Sequence, residues 1–140
     1  GGRRVVEVTR RRTKPDFVGF VQSLVNGAYA TARTIHVVLD NLNTHFRSSF
    51  EQVLGVEMAR QFLARIEFHY TPKHASWLNM AEIEIGILDR QCLGCRIGSE
   101  NHLKDQVRAW EQRRNDAGCR IQWTFTRQDA DQKLARHYVM

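Results

Sequence analysis

The spacing of apolar residues in the first part of the chain predicts a strand, a helix and a second strand. Residues 4–9 alternate β-branched and polar side chains, which is typical of a strand. Apolar residues then recur at helical spacing from a Thr13 N-cap to about Ala30, and Asp16 is placed to complete the cap. Residues 34–39 are almost continuously apolar, which favours a strand covered on both faces within a parallel or mixed sheet. This order is that of a β-α-β unit.

The rest of the chain predicts more helices and two more short strands. Gly55 divides one helical stretch in two. Ser99 is placed to cap a later helix, and Thr126 with Asp129 is placed to cap a last one. The predicted helices are residues 48–54, 56–64, 76–92, 99–116 and 126–137, and the predicted strands are residues 66–70 and 121–125. We therefore expect one α/β domain over residues 1–140, with helices flanking a mixed sheet.

The composition is that of a globular protein, because 42% of the residues are hydrophobic and 26% are charged. No stretch approaches the roughly 18 consecutive apolar residues that a membrane-spanning helix needs, so we expect no membrane partner. The three cysteines are too few for a disulfide scaffold and fit a reducing cytosol. The chain opens on Gly-Gly-Arg-Arg, without a starting Met or a secretory signal, so we interpret its first residue as an internal position of a longer protein.

Positive charge is concentrated near the N-terminus. The whole chain has a formal charge of +6, and residues 3–14 carry six basic side chains against the single acid Glu7. Two interpretations remain open: a solvated surface without a partner, or contact with the phosphates of a nucleic acid. For the second interpretation the candidates are Arg10, Arg11 and Arg12.

Two carboxylates are candidates for metal binding. Asp40 directly follows an apolar strand, and the carboxyl ends of strands are where sites gather in open α/β sheets. Glu82 falls in the first turns of a predicted helix that faces the same sheet edge. Carboxylates that converge at such an edge suit Mg²⁺ or Mn²⁺. Considered alone, Asp40 can also be interpreted as a turn or helix-capping residue, and Glu82 as an acid that the helix dipole favours near a helix N-terminus.

Other chemistry-bearing residues have simpler interpretations. A zinc site built from Cys92, Cys95, Cys119 and His102 is an alternative, although the Cys-x-x-Cys pair has no second pair to complete it. Burial of cysteines as small apolar side chains accounts for them more simply. Packing in the core is likewise the favoured interpretation for two strand histidines and two tryptophans, namely His36, His69, Trp110 and Trp123.

Two segments resemble a known family. Residues 40–45 read Asp-Asn-Leu-Asn-Thr-His, and residues 70–82 read Tyr-Thr-Pro-Lys-His-Ala-Ser-Trp-Leu-Asn-Met-Ala-Glu. They resemble the catalytic region of bacterial insertion-sequence transposases related to the mariner group, within the DDE superfamily. The likeness extends from about Arg3 to Tyr138.

The resemblance implies a ribonuclease H-like fold in which three acids hold two divalent metal ions. Asp40 corresponds to the second acid and Glu82 to the third, while Glu84 is a near neighbour outside the family spacing. The resemblance also implies supporting roles around the Asp40 loop and contacts with DNA, for Asn43, His45, Lys73, His74, Trp77 and Asn79.

The first acid of the family pattern has no counterpart here. It normally lies on a strand upstream of the first strand predicted in this chain, and neither Glu7 nor Asp16 is placed to replace it. The resemblance therefore implies a sheet truncated at its N-terminal side, with the first two strands missing. In the family's strand order, 3-2-1-4-5, a missing strand belongs between residues 4–9 and 34–39. We expect exposed strand edges, and hence marginal stability or homo-oligomerisation.

The implied function is DNA transposition by metal-dependent cleavage and strand transfer, with transposon ends and target DNA as partners. Because residues 1–140 contain only two of the three acids, we expect them alone to have no nuclease activity. We expect a bacterial cytoplasmic location, close to the nucleoid. A non-catalytic DNA-binding remnant of a transposase is the alternative, and salt-dependent, metal-independent DNA binding would favour it.

Overall fold

The computed structural model describes residues 2–72 and 75–138. Over these residues the chain forms a mixed α/β structure. In chain order its elements are α1 (Lys14–Asn26), β1 (Ile35–Leu39), α2 (Arg47–Leu54), α3 (Val56–Leu63), β2 (Ile66–Tyr70), a 3₁₀ turn (Ser76–Leu78), α4 (Met80–Leu88), a π-helical turn (Asp89–Leu93), α5 (Glu100–Asp116) and α6 (Arg127–Tyr138). No helix in the described part of the chain combines the length and the apolar character needed to cross a membrane.

The helix starts predicted at Thr13 and Ser99 are confirmed by their caps, whereas the helix predicted from Ser76 begins only at Met80, after a 3₁₀ turn. Thr13 and Asp16 form a reciprocal capping box at α1, in which the Thr13 side chain accepts from the Asp16 N–H. Ser99 Oγ accepts from the His102 N–H at 3.1 Å and starts α5. The α1 helix ends at Asn26 rather than at Ala30, because the chain leaves helical geometry at Gly27, with φ −102° and ψ −97°.

The strands β1 and β2 are parallel neighbours, in a register that pairs Ile35 with Ile66 and Leu39 with Tyr70. One face of this sheet packs on the helices through Ile35, Val37, Ile66 and Phe68. The prediction that β1 is covered on both faces is wrong for the described residues, because Val38 on the opposite face is 54% exposed. No element of the described chain packs over that opposite face.

Two apolar clusters hold the helices in place. The first joins α1, α2, α3 and β2 through buried side chains, namely Val18, Val21, Val25, Phe50, Ala59, Leu63 and Ile66. The second joins α5 to the π-helical turn through Cys92, Val107 and Trp110, and Val6 and Val8 pack against it. Trp110 is 2% exposed, which confirms its predicted core position.

The prediction that residues 4–9 form a strand is wrong. They alternate in burial as predicted, with Arg4 buried and Val6 and Val8 half-buried between exposed neighbours. They do not join a sheet, because their backbone is bonded to α5 side chains instead. The Arg4 N–H donates to Asn115 Oδ1 at 2.8 Å, and the Val6 N–H donates to Glu111 Oε2 at 2.9 Å.

The prediction that residues 121–125 form a strand is also wrong. They form no strand, and Trp123, expected in the core, is 38% exposed. Its ring meets that of Phe125 edge-on at 6.1 Å. Alternation signals that two faces differ, but a strand also needs a pairing partner, and no described segment pairs with these residues. The described chain therefore contains a two-stranded parallel sheet rather than the larger mixed sheet expected.

Candidate functional site

Asp40 leaves the carboxyl end of β1 and is held by its own loop. Its Oδ1 accepts from the Leu42 N–H at 3.3 Å and lies 2.5 Å from His45 Nδ1. Because an ionised carboxylate only accepts hydrogen bonds, this contact places a proton on His45 Nδ1. The Asp40 side chain is 33% exposed, so it stays open to solvent while one oxygen is oriented.

His45 is itself held from two sides. Its ring lies against that of Phe17 on α1, with centroids 4.7 Å apart. Its carbonyl accepts from the hydroxyl of Tyr70, the last residue of β2, at 2.9 Å. Burial raises the pKa of Tyr70, so its hydroxyl stays protonated and able to donate at neutral pH. The Asp40 loop is thus fastened to both α1 and β2.

The loops that follow the two strands are tied together. The Thr71 N–H donates to the Leu39 carbonyl at 2.9 Å, which extends the parallel pairing by one residue. Asn41 Nδ2 donates in turn to the Thr71 carbonyl at 2.5 Å. The chain after β2 therefore starts beside the Asp40 loop, as expected for neighbouring parallel strands.

Glu82 lies in the first turn of α4. The helix is capped by Asn79, whose Oδ1 accepts from the Ala81 N–H at 3.1 Å. The Glu82 side chain is exposed, and within residues 2–72 and 75–138 no hydrogen bond or ion pair engages its carboxylate. A carboxylate at this end of a helix is favoured by the helix dipole. Glu82 therefore remains available to a ligand.

Glu84, which follows on the same helix, has a different environment. Its two oxygens accept from Arg4, and they also accept from Arg114 at 3.2 and 3.0 Å. The hydrogen bonds from Arg4, with a further contribution from Arg114, hold the Glu84 pKa below its ordinary value. Both oxygens of Glu84 thus bind arginines within the protein, so Glu84 has a structural role, whereas the Glu82 carboxylate is exposed.

A cavity of about 810 Å³ lies beside the Asp40 loop and the start of α4, although neither Asp40 nor Glu82 is among its lining residues. Its lining includes His45, which binds Asp40, and Ala81, the neighbour of Glu82. Phe17 and Phe20 of α1 form part of its apolar wall, and Arg12 lines it as well. The loop after β1 and the start of α4 thus border one open space.

Three of the basic residues near the N-terminus, Arg10, Arg11 and Arg12, are exposed, whereas Arg4 is buried. Arg10 Nε donates to Glu100 Oε2 at 3.0 Å, so one of its contacts lies within the protein. Hydrogen bonds from Lys104 and then Arg10 lower the pKa of Glu100. Arg11 and Arg12 are exposed, and no ion pair engages them among the residues described.

The other predicted site residues occupy varied positions. Asn43 is exposed in the Asp40 loop. Trp77 is half-buried, with Phe125 edge-on at 5.0 Å and Lys133 Nζ 5.1 Å from its ring centroid. Lys73 and His74 lie outside the described residues.

The alternative zinc site is wrong. Cys92 is buried, Cys95 is exposed, and these cysteines do not converge with Cys119 and His102. In the described chain, the group that does converge is His36, Glu67 and His69. The predicted core packing of both histidines is wrong, since both are exposed. No local sequence signal identifies this group, because its members meet only through the register in which β1 and β2 pair.

Comparison with known proteins places these features in a family. The model of the DDE superfamily endonuclease family matches residues 1–104, which include the Asp40 loop, Glu82 and all of α4. No curated protein and no solved structure matches the chain significantly. Because the family match covers well over half of the sequence, the chain belongs to the DDE superfamily endonuclease family.

Proposed function

We propose that the chain is part of the catalytic domain of a bacterial insertion-sequence transposase related to the mariner group, with a ribonuclease H-like fold. Its reaction is metal-dependent cleavage of DNA phosphodiesters at transposon ends, followed by strand transfer to target DNA. The observation that carries the proposal is the placement of Asp40. It stands at the carboxyl end of β1 and is oriented by His45, which lines a cavity that also reaches Met80 and Ala81 at the start of α4.

DDE-type endonucleases generally use divalent metal ions, and the donors present here fit such ions. Asp40 Oδ2 and both Glu82 oxygens have no protein partner within the described residues. Free carboxylate oxygens are the ligands that Mg²⁺ and Mn²⁺ prefer. Asp40 and Glu82 would hold the metal. When bound, it would activate water for attack on phosphorus and stabilise the departing 3′ oxygen.

The protein's own groups prepare the site. His45 restrains the Asp40 carboxylate, so that less conformational freedom is lost when a cation is bound. Asn41 keeps the loop after β2 close to the Asp40 loop. Arg11 and Arg12 provide positive charge for a DNA backbone, with Arg12 on the cavity wall itself. Asn43, Lys73, His74, Trp77 and Asn79 remain candidates for shaping the site or contacting DNA.

The family pattern needs three acids, and no residue among these 140 corresponds to the first of them. We therefore expect residues 1–140 alone to cleave no DNA. In a longer version that also carries the first acid, Asp40→Asn and Glu82→Gln should each abolish Mg²⁺-dependent cleavage of a transposon-end duplex. Glu51→Gln, an exposed acid on α2, is the matched control and should leave cleavage intact. Cleavage retained by either site variant would reject that residue's assignment.

Homo-oligomerisation is a further part of the proposal. Each strand of the described two-stranded sheet has one edge without a strand partner. Such edges favour association with another strand. Analytical ultracentrifugation of residues 1–140 should detect dimers or larger species at micromolar concentration, and a strictly monomeric protein would contradict this.

Metal-independent DNA binding is the second candidate function. The exposure of Arg10, Arg11 and Arg12 favours it. Residues 1–140 would then bind any duplex, with an affinity that falls as salt rises and does not change on chelation of divalent ions.

A further inference from the structure

The outward face of the sheet carries three potential metal ligands. His36 on β1 is the direct register partner of Glu67 on β2, and His69 lies two residues beyond Glu67. Because side chains of a strand alternate between faces, all three project to the same side. All three are exposed, on the face that no described element covers.

Their ligand atoms are already close together. His36 Nδ1 lies 3.0 Å from His69 Nε2 and 3.3 Å from Glu67 Oε2. One ligand atom from each residue lies within 4.8 Å of the others. Ligands bound to one tetrahedral zinc ion at about 2.0–2.2 Å lie roughly 3.3–3.6 Å from one another. Small side-chain rotations would therefore bring the three atoms to coordination distance, without movement of the strands.

The donor set differs in chemistry from that of the proposed catalytic site. Two imidazoles and one carboxylate favour zinc and its transition-metal neighbours, whereas Asp40 and Glu82 offer only hard oxygen atoms. Three protein ligands leave one position of a tetrahedral ion for water.

We propose that His36, Glu67 and His69 bind one Zn²⁺ ion on the outer face of the sheet. The ion joins β1 to β2 through side chains, in addition to their backbone pairing. It is separate from the Mg²⁺-type site proposed at Asp40 and Glu82, and does not depend on that function. Since the bound ion stabilises only the folded chain, Zn²⁺ raises the thermal midpoint of unfolding.

Binding can be measured on residues 1–140 by titrating Zn²⁺ against a chromophoric chelator. We expect one ion per chain. His36→Asn and His69→Gln should each weaken binding by at least about tenfold, because each removes one of three ligands. Glu67→Gln, which keeps the side-chain shape, should weaken it as well. The matched control is His102→Gln, an exposed histidine on α5, which should leave the affinity unchanged.

Three further measurements test whether Zn²⁺ binds at His36, Glu67 and His69 rather than at a cysteine or at Asp40. Co²⁺ in place of Zn²⁺ should give the visible absorption of a tetrahedral ion, without the near-ultraviolet band of a thiolate ligand, and the His36 and His69 variants should lose it. Asp40→Asn and Cys95→Ser should retain Zn²⁺ affinity. The rise in thermal midpoint should disappear in His36→Asn. Zn²⁺ affinity unchanged in both histidine variants, or lost in Asp40→Asn or Cys95→Ser, would overturn the proposal.

Discussion

Arg4 and Glu84 form a two-point ion pair between residues that are 80 positions apart in the chain. Arg4 Nε donates to Glu84 Oε2 and Arg4 Nη2 donates to Glu84 Oε1, each at 2.8 Å. The side chains are only 8% and 17% exposed. Arg114 of α5 binds the same carboxylate, so Glu84 joins the N-terminal segment, α4 and α5. This pairing leaves Glu82 as the exposed acid at the start of α4.

The ion pair predicts a large loss of stability on neutralisation of Glu84. Glu84→Gln should lower the free energy of unfolding by about 3 kcal/mol, because two partly buried guanidinium groups then lose their counterion. Urea denaturation at pH 7 measures the effect. Glu51→Gln, an exposed acid on α2, should change the free energy by less than about 0.5 kcal/mol. A similar small effect of Glu84→Gln would contradict the structural role of the pair.

The same carboxylate predicts loss of stability in acid. Arg4, and to a lesser degree Arg114, hold the Glu84 pKa below its ordinary value of 4.5. A lowered pKa in the folded state means that the stabilisation is fully present above that ordinary value and is lost as pH falls through the folded-state pKa. Unfolding free energies measured from pH 7 to pH 3 should therefore fall in the wild-type chain. The fall should be smaller in Glu84→Gln, and an identical fall would count against this linkage.

The contact between His45 and Asp40 predicts an effect on catalysis in a version that carries all three acids. His45→Phe keeps an aromatic ring against Phe17 but removes the Nδ1 donor. It should reduce kcat by roughly 10- to 100-fold and raise the Mg²⁺ concentration needed for half-maximal rate, as loss of outer ligand support generally does.

His45→Asn tests whether the hydrogen bond is responsible, because its amide nitrogen can reach a position similar to that of Nδ1. It should restore part of the rate and of the Mg²⁺ response. If both variants lose only thermal stability, with kcat and metal response unchanged, His45 is a packing residue.

The exposed arginines predict the salt dependence of DNA binding. Neutralising Arg10, Arg11 and Arg12 together to Gln should reduce the slope of log K against log salt by up to about 2.7, because each phosphate that a cationic side chain neutralises contributes about 0.9 to that slope. Fluorescence anisotropy with a labelled duplex measures this slope. Arg60→Gln on α3, another exposed arginine, is the control and should leave the slope unchanged. An unchanged slope in the triple variant would place the DNA on another surface.

Local sequence signals predicted most of the helices. The capping residues Thr13, Ser99 and Thr126 start the helices that they were expected to start, since a cap depends on residues three positions apart. Gly55 separates α2 from α3 as predicted, at a positive φ of 82° that suits glycine. The strand at residues 66–70 was predicted with the bounds that β2 has.

The incorrect predictions concern contacts between distant residues. Residues 4–9 have a strand pattern, yet Asn115 and Glu111, more than a hundred positions away, bind their backbone instead of a neighbouring strand. His36 and His69 alternate as core residues would, but the face that carries them is uncovered. No local pattern states which side of a strand another element will cover.

The sequence by itself determined where several helices begin, which segment follows which, and that residues 40–45 and 70–82 resemble the DDE family, because these properties depend on neighbouring residues. Tertiary structure alone decided that Glu84 is engaged by Arg4 and Arg114, that His45 binds Asp40, and that His36 meets Glu67 and His69. These contacts depend on strand register and helix packing, which bring together side chains that lie far apart in the chain.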